Sequence, residues 1–285
     1  MPYVEVLARA SGATVTLIQV VAESDASPVQ GANPLLMPFM VAYPTGDPRA
    51  ESVAQRAERL APAAYLDGIA ERLGRRGVVT ETVVVRGRPA DLLSAEAVSR
   101  QADLIVVATH GHSGLRRWVF GSVAEAVLAR SPVPVLMARA WIPPHSLFPA
   151  DGRPTIVTPL DGSPCAEAAL PLAQDLARLL GATLCLTRMV ALPHVSPSLE
   201  MEVVVEYSPN YRSELERGAC DYLVSVAARV RATGVDVDTS TKFSDPASGI
   251  LASAHEREAG LIVMATHGRT GLASTLLGSV SLEVL

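Results

Sequence analysis

The chain reads as an α/β protein made of two tandem parallel-sheet domains, and three observations predict this. Leu104–Leu128 recurs 157 residues later as Leu261–Leu285, and from Ala102 and Ala259 onward fifteen of twenty-seven positions are identical. The identities gather on an apolar run, on Ala-Thr-His-Gly, on a further Gly and on Gly-Ser-Val, the pattern of a strand, a glycine loop and a helix start. Length is the second observation: 285 residues suit two domains of roughly 140, each able to bury one core. Composition is the third. Apolar residues make up 49% and aromatic ones 4%, which fits packed layers of Ala, Val and Leu.

The second copy can be followed from its start. Thr155–Leu160 is a short apolar strand. It runs into Asp161-Gly162-Ser163-Pro164, with Ser163 as helix N-cap and Pro164 at the first helical position. Cys165–Leu180 keeps apolar residues at helical spacing until Gly181 stops it. Thr183–Val190 is the second strand, followed by a proline-bearing loop over Ala191–Asn210 and a helix over Tyr211–Ala232. Val235–Lys242 is the third strand, Pro246–Glu258 the third helix and Leu261–Ala265 the fourth strand. Such alternation builds a parallel sheet covered on both faces.

The first copy aligns from its first helix. Pro2–Thr14 matches Pro171–Thr183 without a gap, so the first strand and its Asp-Gly-Ser turn have no counterpart there. At the other end Leu285 matches Leu128, while the first copy continues through Ala129–Ala138 into a strand that the second lacks. The expectation is a fragment of a longer tandem protein, with domains over 1–140 and 154–285. The first would lack strand 1 and the second strand 5. Proline-rich Arg139–Pro154 marks the boundary. Ala22–Pro48, with prolines 28, 34, 38, 44 and 48, reads as a surface loop packing onto its own domain in preference to a partner-binding patch.

Charge and cysteine usage exclude several classes. A net charge of −5 argues against non-specific nucleic-acid binding. Arg116, Arg117 and Trp118 are then a solvated face with one packing aromatic. Cys165, Cys185 and Cys220 lack a Cys-x-x-Cys spacing and fit buried thiols of a reducing cytoplasm. No apolar run reaches the roughly 18 residues of a membrane span, and Glu5 and Arg9 interrupt the N-terminal stretch where a signal peptide would be apolar. His110 and His267 repeat without metal-ligand neighbours at suitable spacing. Lys242 is the only lysine and lies on a strand, so there is no P-loop.

In a parallel sheet, ligands collect outside the carboxyl ends of the strands, where strand order reverses. In the second copy Asp161 ends the first strand, Met189 the second, and Ala265–Gly271 follows the fourth. Gly268 and Gly271 allow close backbone approach, and Gly278-Ser279 opens a helix whose free N–H groups suit a phosphate. Asp161 is suited to accept from ribose hydroxyls or an adenine amine. The competing reading is that these glycines only close tight turns.

With these residues in view, the chain resembles a tandem universal stress protein. Nucleotide-binding members of that family carry Gly-x2-Gly-x9-Gly-Ser/Thr after the fourth strand. Here the run is Ala108-Thr109-His110-Gly111, nine residues, Gly121-Ser122, and again Ala265-Thr266-His267-Gly268, nine residues, Gly278-Ser279. Gly87-Arg88-Pro89-Ala90 and Ser244-Asp245-Pro246-Ala247 also resemble family turns. The departure is Ala108 and Ala265, where the family has glycine; the substitution is harmless only if φ there stays negative.

The resemblance implies a Rossmann-like fold of the adenine nucleotide alpha hydrolase type. Each domain would be a five-stranded parallel sheet in order 3-2-1-4-5, with helices on both faces. It implies binding of ATP, with or without Mg2+, at Asp161, Met189, Ala265, Thr266, Gly268, Arg269, Gly278, Ser279 and Val280. The first copy offers the weaker set Val20, Ala108, Gly111, His112, Gly121 and Ser122. It implies a cytoplasmic stress-response protein that binds and signals, with at most slow ATP hydrolysis. The partners expected are an adenine nucleotide, the other copy in an intramolecular pseudo-dimer, and further chains in a homo-oligomer, with no nucleic acid or membrane. The alternative is a nucleotide-free interaction module of the same fold.

Overall fold

The computed structural model describes residues 2–21, 53–108, 122–138, 153–191, 209–266 and 278–285. In the first repeat the elements are α1 (Pro2–Ser11), β1 (Val15–Val21), α2 (Val53–Gly74), β2 (Thr80–Arg86), α3 (Pro89–Ser99), β3 (Ile105–Ala108), α4 (Ser122–Arg130) and β4 (Val135–Ala138). The second repeat has β5 (Thr155–Pro159), α5 (Pro164–Glu167), α6 (Leu170–Leu180), β6 (Thr183–Val190), α7 (Pro209–Arg231), β7 (Val237–Phe243), α8 (Pro246–Glu256), β8 (Leu261–Ile262) and α9 (Ser279–Val284). Two compact units result. The second-repeat elements form one of them together with α1, which packs on α6.

The second repeat forms a four-stranded sheet in the order β7-β6-β5-β8, with every pairing parallel. The expected strands and helices are found, β6 with the expected bounds and the others shifted by a few residues at their ends. One expectation is corrected: Cys165–Leu180 is not a single helix. Pro171 has no N–H and cannot continue the helix begun at Pro164, so the chain turns at Ala168–Ala169 and restarts with Pro171 in the first turn of α6. Gly181, at φ 61°, ends α6 in the left-handed conformation.

Helices lie on both faces of this sheet. Successive strand residues point to opposite faces. On β6, Arg188 meets Tyr222 of α7 with 4.8 Å from guanidinium carbon to ring centre, whereas the next residue, Met189, meets Gly249 of α8. Between the layers lie Ile156, Val157, Leu184, Cys185 and Leu186 of the strands and Leu223 and Val226 of α7, all buried. Thr158, Thr187 and Ser253 are fully buried too, and their hydroxyls have no hydrogen-bond partner.

The first repeat is arranged differently. β1 and β2 pair in parallel from Val15↔Thr80 to Val21↔Arg86, while β3 and β4 form a separate pair. The strand expected within Ala129–Ala138 is thus found as β4, and just before it the Pro134 carbonyl accepts the Ile105 N–H at 3.0 Å.

The cysteine expectation needs correction in part. Cys185 is buried in β6, and burial pushes its thiol up to about 11. Cys220 is half-buried, its Sγ 3.4 Å from Thr241 Oγ1. Cys165 is exposed, because it follows Pro164 in the short α5, whose buried residue is Ala166. Among the described residues no helix is long and apolar enough to cross a membrane. The Ala22–Pro48 loop, residues 116–118 and the boundary segment up to residue 152 lie outside the described residues.

Candidate functional site

The site is built where β5 and β8 lie side by side, the place where strand order reverses. From β5 the chain runs through Leu160, whose N–H donates to the Thr187 carbonyl at 2.8 Å, into Asp161. Asp161 is half-buried, and its Oδ1 accepts the Ser163 N–H at 2.9 Å, fixing the turn. Ser163 then caps α5 by accepting the Ala166 N–H at 3.1 Å, as its sequence position predicts. Gly162 stands at φ 89°, a conformation that favours glycine.

Beyond β8, Ala265 and Thr266 lead out of the sheet, and α9 folds back onto them. The Gly278 N–H donates to the Thr266 carbonyl at 2.8 Å. Ser281 Oγ reaches the same carbonyl at 3.1 Å and that of Ala265 at 3.3 Å. These contacts set the start of α9, with Ser279 exposed and Val280 half-buried, beside the end of β8. Gly278 has φ −63°, which any residue can adopt, so the glycine is not required by the backbone there.

Met189 and Val280 share one buried apolar group. Both pack, with Ile262 and Met264, against the buried group Ala247, Ile250 and Val284. The crevice therefore has an apolar wall on the α8–α9 side and the Asp161 carboxylate at the end of β5. Among described non-glycine residues φ is positive only at Gln101 and Glu258. Ala108 and Ala265 accordingly keep negative φ, and alanine causes no backbone strain at either position.

Not every expected residue is described. Gly268 and Arg269, and in the first repeat Gly111, His112 and Gly121, lie outside the described residues, as do His110 and His267. Of the first-repeat set, Val20 sits on β1, Ala108 ends β3 and Ser122 starts α4. The described strands do not join them in one sheet, since β1 and β3 belong to separate pairs.

Four residues with no signal in the repeat motif prove to shape the site: Arg188, Tyr222, Gly249 and Ser281. A Cβ on Gly162 would lie 3.4 Å from both terminal nitrogens of Arg188, so that guanidinium lies across the Asp161–Gly162 turn. Tyr222 beneath it donates to Glu167 at 2.9 Å, and Arg229 binds the other oxygen of the same carboxylate at 2.7 Å. Burial, then the bond to Glu167, pushes the Tyr222 phenol up to about 12. A helix-interior glycine was the readable hint for Gly249; nothing local singled out the others. An open depression of about 400 Å3, lined in part by Arg153, Arg178 and Asp236, lies at the amino ends of β6 and β7, away from Asp161. Among the described residues no cluster of His, Cys, Asp and Glu could hold a metal.

Comparison with known proteins adds a family. The model described as "Universal stress protein family" matches residues 3–139 and 152–285. A universal stress protein of Mycolicibacterium smegmatis is 28% identical over 254 residues, covering 88% of this chain and 81% of the relative. One from Mycobacterium tuberculosis is 27% identical over 190 residues, 66% of this chain and 60% of the relative. Among solved structures, a universal stress protein from Archaeoglobus fulgidus superimposes with a TM-score of 0.64 at 20% identity, covering 99% of this chain and 86% of that one. A functionally unknown protein from Pseudomonas aeruginosa does so with 0.60 at 15% identity, over 99% and 82%. At these identities the structural likeness concerns the fold.

Proposed function

The chain belongs to the universal stress protein family, and on that premise we propose that its second repeat binds ATP or a related adenine nucleotide. The observation that carries this reading is the neighbouring of Asp161, at the carboxyl end of β5, with the Thr266–Gly278 closure beyond β8. The residues fit the group. Asp161 supplies an acceptor for ribose hydroxyls or an adenine amine, and Met189 supplies an apolar wall for the base. The first-turn N–H groups of Ser279 and Val280 suit phosphate oxygens, with Gly268 and Arg269 completing that end by family resemblance. Mg2+, where it accompanies the nucleotide, would offset the charge of the phosphates.

The protein acts by binding and signalling in the cytoplasm, not by rapid turnover, and associates through pairing of like domains. The family sheet order 3-2-1-4-5 belongs to the same proposal, and the described order β7-β6-β5-β8 supports its 3-2-1-4 part. The alternative of a nucleotide-free module draws support from Ala265 standing where family members that bind nucleotide have glycine.

The test is twofold. Protein purified from cells should release ATP when denatured. A fluorescent ATP analogue should bind wild type, with Asp161→Ala weaker by roughly ten- to hundred-fold and Gly278→Val weaker as well. Binding that survives both substitutions would locate the nucleotide elsewhere. Failure of wild type to bind, with no ATP released, would leave the nucleotide-free module.

A further inference from the structure

We propose that Gly249 is a positioning residue that seats Met189 and so sets the base-facing wall of the second repeat's site; this rests on the nucleotide reading above. Glycine inside a helix is unfavourable relative to alanine, so Gly249, the fourth residue of α8 and buried, calls for a packing reason. The reason is close approach. A Cβ at Gly249 would stand 2.3 Å from Met189 Sδ, 3.1 Å from Met189 Cγ and 2.9 Å from Ser244 Cβ. The first two distances put the thioether in the notch that the missing side chain leaves.

The first repeat solves the same packing problem with volumes exchanged. Gly249 corresponds to Leu92, Ser244 to Gly87 and Met189 to Val20. There Leu92 Cδ1 lies 3.1 Å from where a Cβ on Gly87 would be. So Leu on the helix goes with a short Val on the strand, and glycine on the helix goes with a long Met; Gly87, at φ 139°, is held to glycine by its backbone as well. The helix and strand positions have changed together, and dense packing makes each depend on the other. Any side chain at Gly249 must expel the Met189 thioether from its seat. Met189 shares its apolar group with Val280 of α9, so displacement is felt at both ends of the proposed site.

A substitution cycle on the full chain tests this, using affinity for a fluorescent ATP analogue and the 13C-methyl resonance of Met189. Gly249→Ala should weaken binding about tenfold or more and shift that resonance. In a Met189→Val, Ser244→Gly background, which copies the first repeat at both places, the same Gly249→Ala change should alter affinity less than about threefold, because neither the thioether nor the Ser244 Cβ then stands in its way. Equal losses in the two backgrounds, or a shifted resonance with unchanged affinity, would overturn the proposal. Should Gly249→Ala alone fail to fold, folding of the variant that also carries Met189→Val and Ser244→Gly supports it, and failure of that variant to fold sinks it. If wild type binds no nucleotide, the nucleotide reading fails separately. The seat is then judged on thermal midpoints: Gly249→Ala must lower the midpoint with Met189 and Ser244 present and leave it nearly unchanged in the Met189→Val, Ser244→Gly background.

Discussion

The two repeats share their fourth-strand motif but differ in how their strands are joined. In the second, β5 pairs with β6 on one side and β8 on the other. In the first, the matching β1 and β3 lie in separate two-stranded sheets among the described residues. Burial follows the pairing. Leu184, Cys185, Leu186 and Thr187 of β6 are each 0% exposed, whereas of their counterparts Val15, Thr16, Leu17 and Ile18 only Leu17 is buried, at 8%. A middle strand thus contributes more than its own side chains: it covers the edges of both neighbours and brings their ends to one crevice. The same lesson appears on the helices. Tyr222 of α7 is held by Glu167 and Arg188, while its counterpart Tyr65 of α2 is 65% exposed. Gln19 stands where β6 has Arg188.

The largest expected contrast is in the strands. Leu186→Ala should destabilise the second repeat by about 3 kcal/mol through lost burial and a cavity, and Leu17→Ala the first by roughly half as much. Denaturant unfolding followed by hydrogen exchange in each repeat would show it; equal losses would mean that β5 adds nothing to the packing of β6.

Next is the tyrosine pair. Tyr222→Phe should cost about 1 kcal/mol by leaving Glu167 short of a donor, with Tyr65→Phe near neutral. The Tyr222 phenol is raised from 10.0 to about 12, so the stability it contributes is complete below pH 10 and is lost as pH rises towards 12. Ultraviolet titration should find a late phenolate that Tyr222→Phe removes. A wild-type curve with no such late component would refute the half-buried setting of Tyr222 and its bond to Glu167.

A cap offers a smaller and reversible difference. Asp245 caps α8 by accepting the Ser248 N–H at 3.1 Å, whereas Arg88 at the matching place before α3 makes no such bond. Asp245→Ala should lose about 1 kcal/mol, and Arg88→Asp should gain a similar amount in the first repeat. Thermal midpoints moving the other way would show that the cap is not the limiting feature.

Last comes a position where the repeats agree. Gln101 at φ 51° and Glu258 at φ 47° correspond, and both hold a left-handed conformation just after a helix. Glycine at either place should stabilise by roughly 0.5–1 kcal/mol, equally in the two repeats. Unequal gains would indicate that one of these side chains makes a compensating contact.

Much of this was legible in the chain itself. The duplicated strand-loop-helix, the Ser163 cap, the Pro164 start, the Gly181 stop and the alternation of elements depend on residues within one turn of each other, and short-range signals survive in sequence. Asp161 at the end of the first strand was readable for the same reason. The break at Pro171 was local too, but helical periodicity on either side concealed it.

Tertiary structure alone decided the rest. That Met189 would spend its side chain in a notch on α8 depends on a glycine sixty residues away. That Arg188 would lie across Gly162 and over Tyr222 depends on three separate elements meeting at one strand end. That Ser281, and not only the Gly278-Ser279 pair, would tie α9 to the end of β8 depends on the Ala265 and Thr266 carbonyls lying within its reach where the sheet stops. Sequence determines which segments become strands and helices, because propensity and capping act locally. Which side chains share a crevice is settled only when the parallel order β7-β6-β5-β8 brings distant strand ends together and close packing assigns each side chain its place.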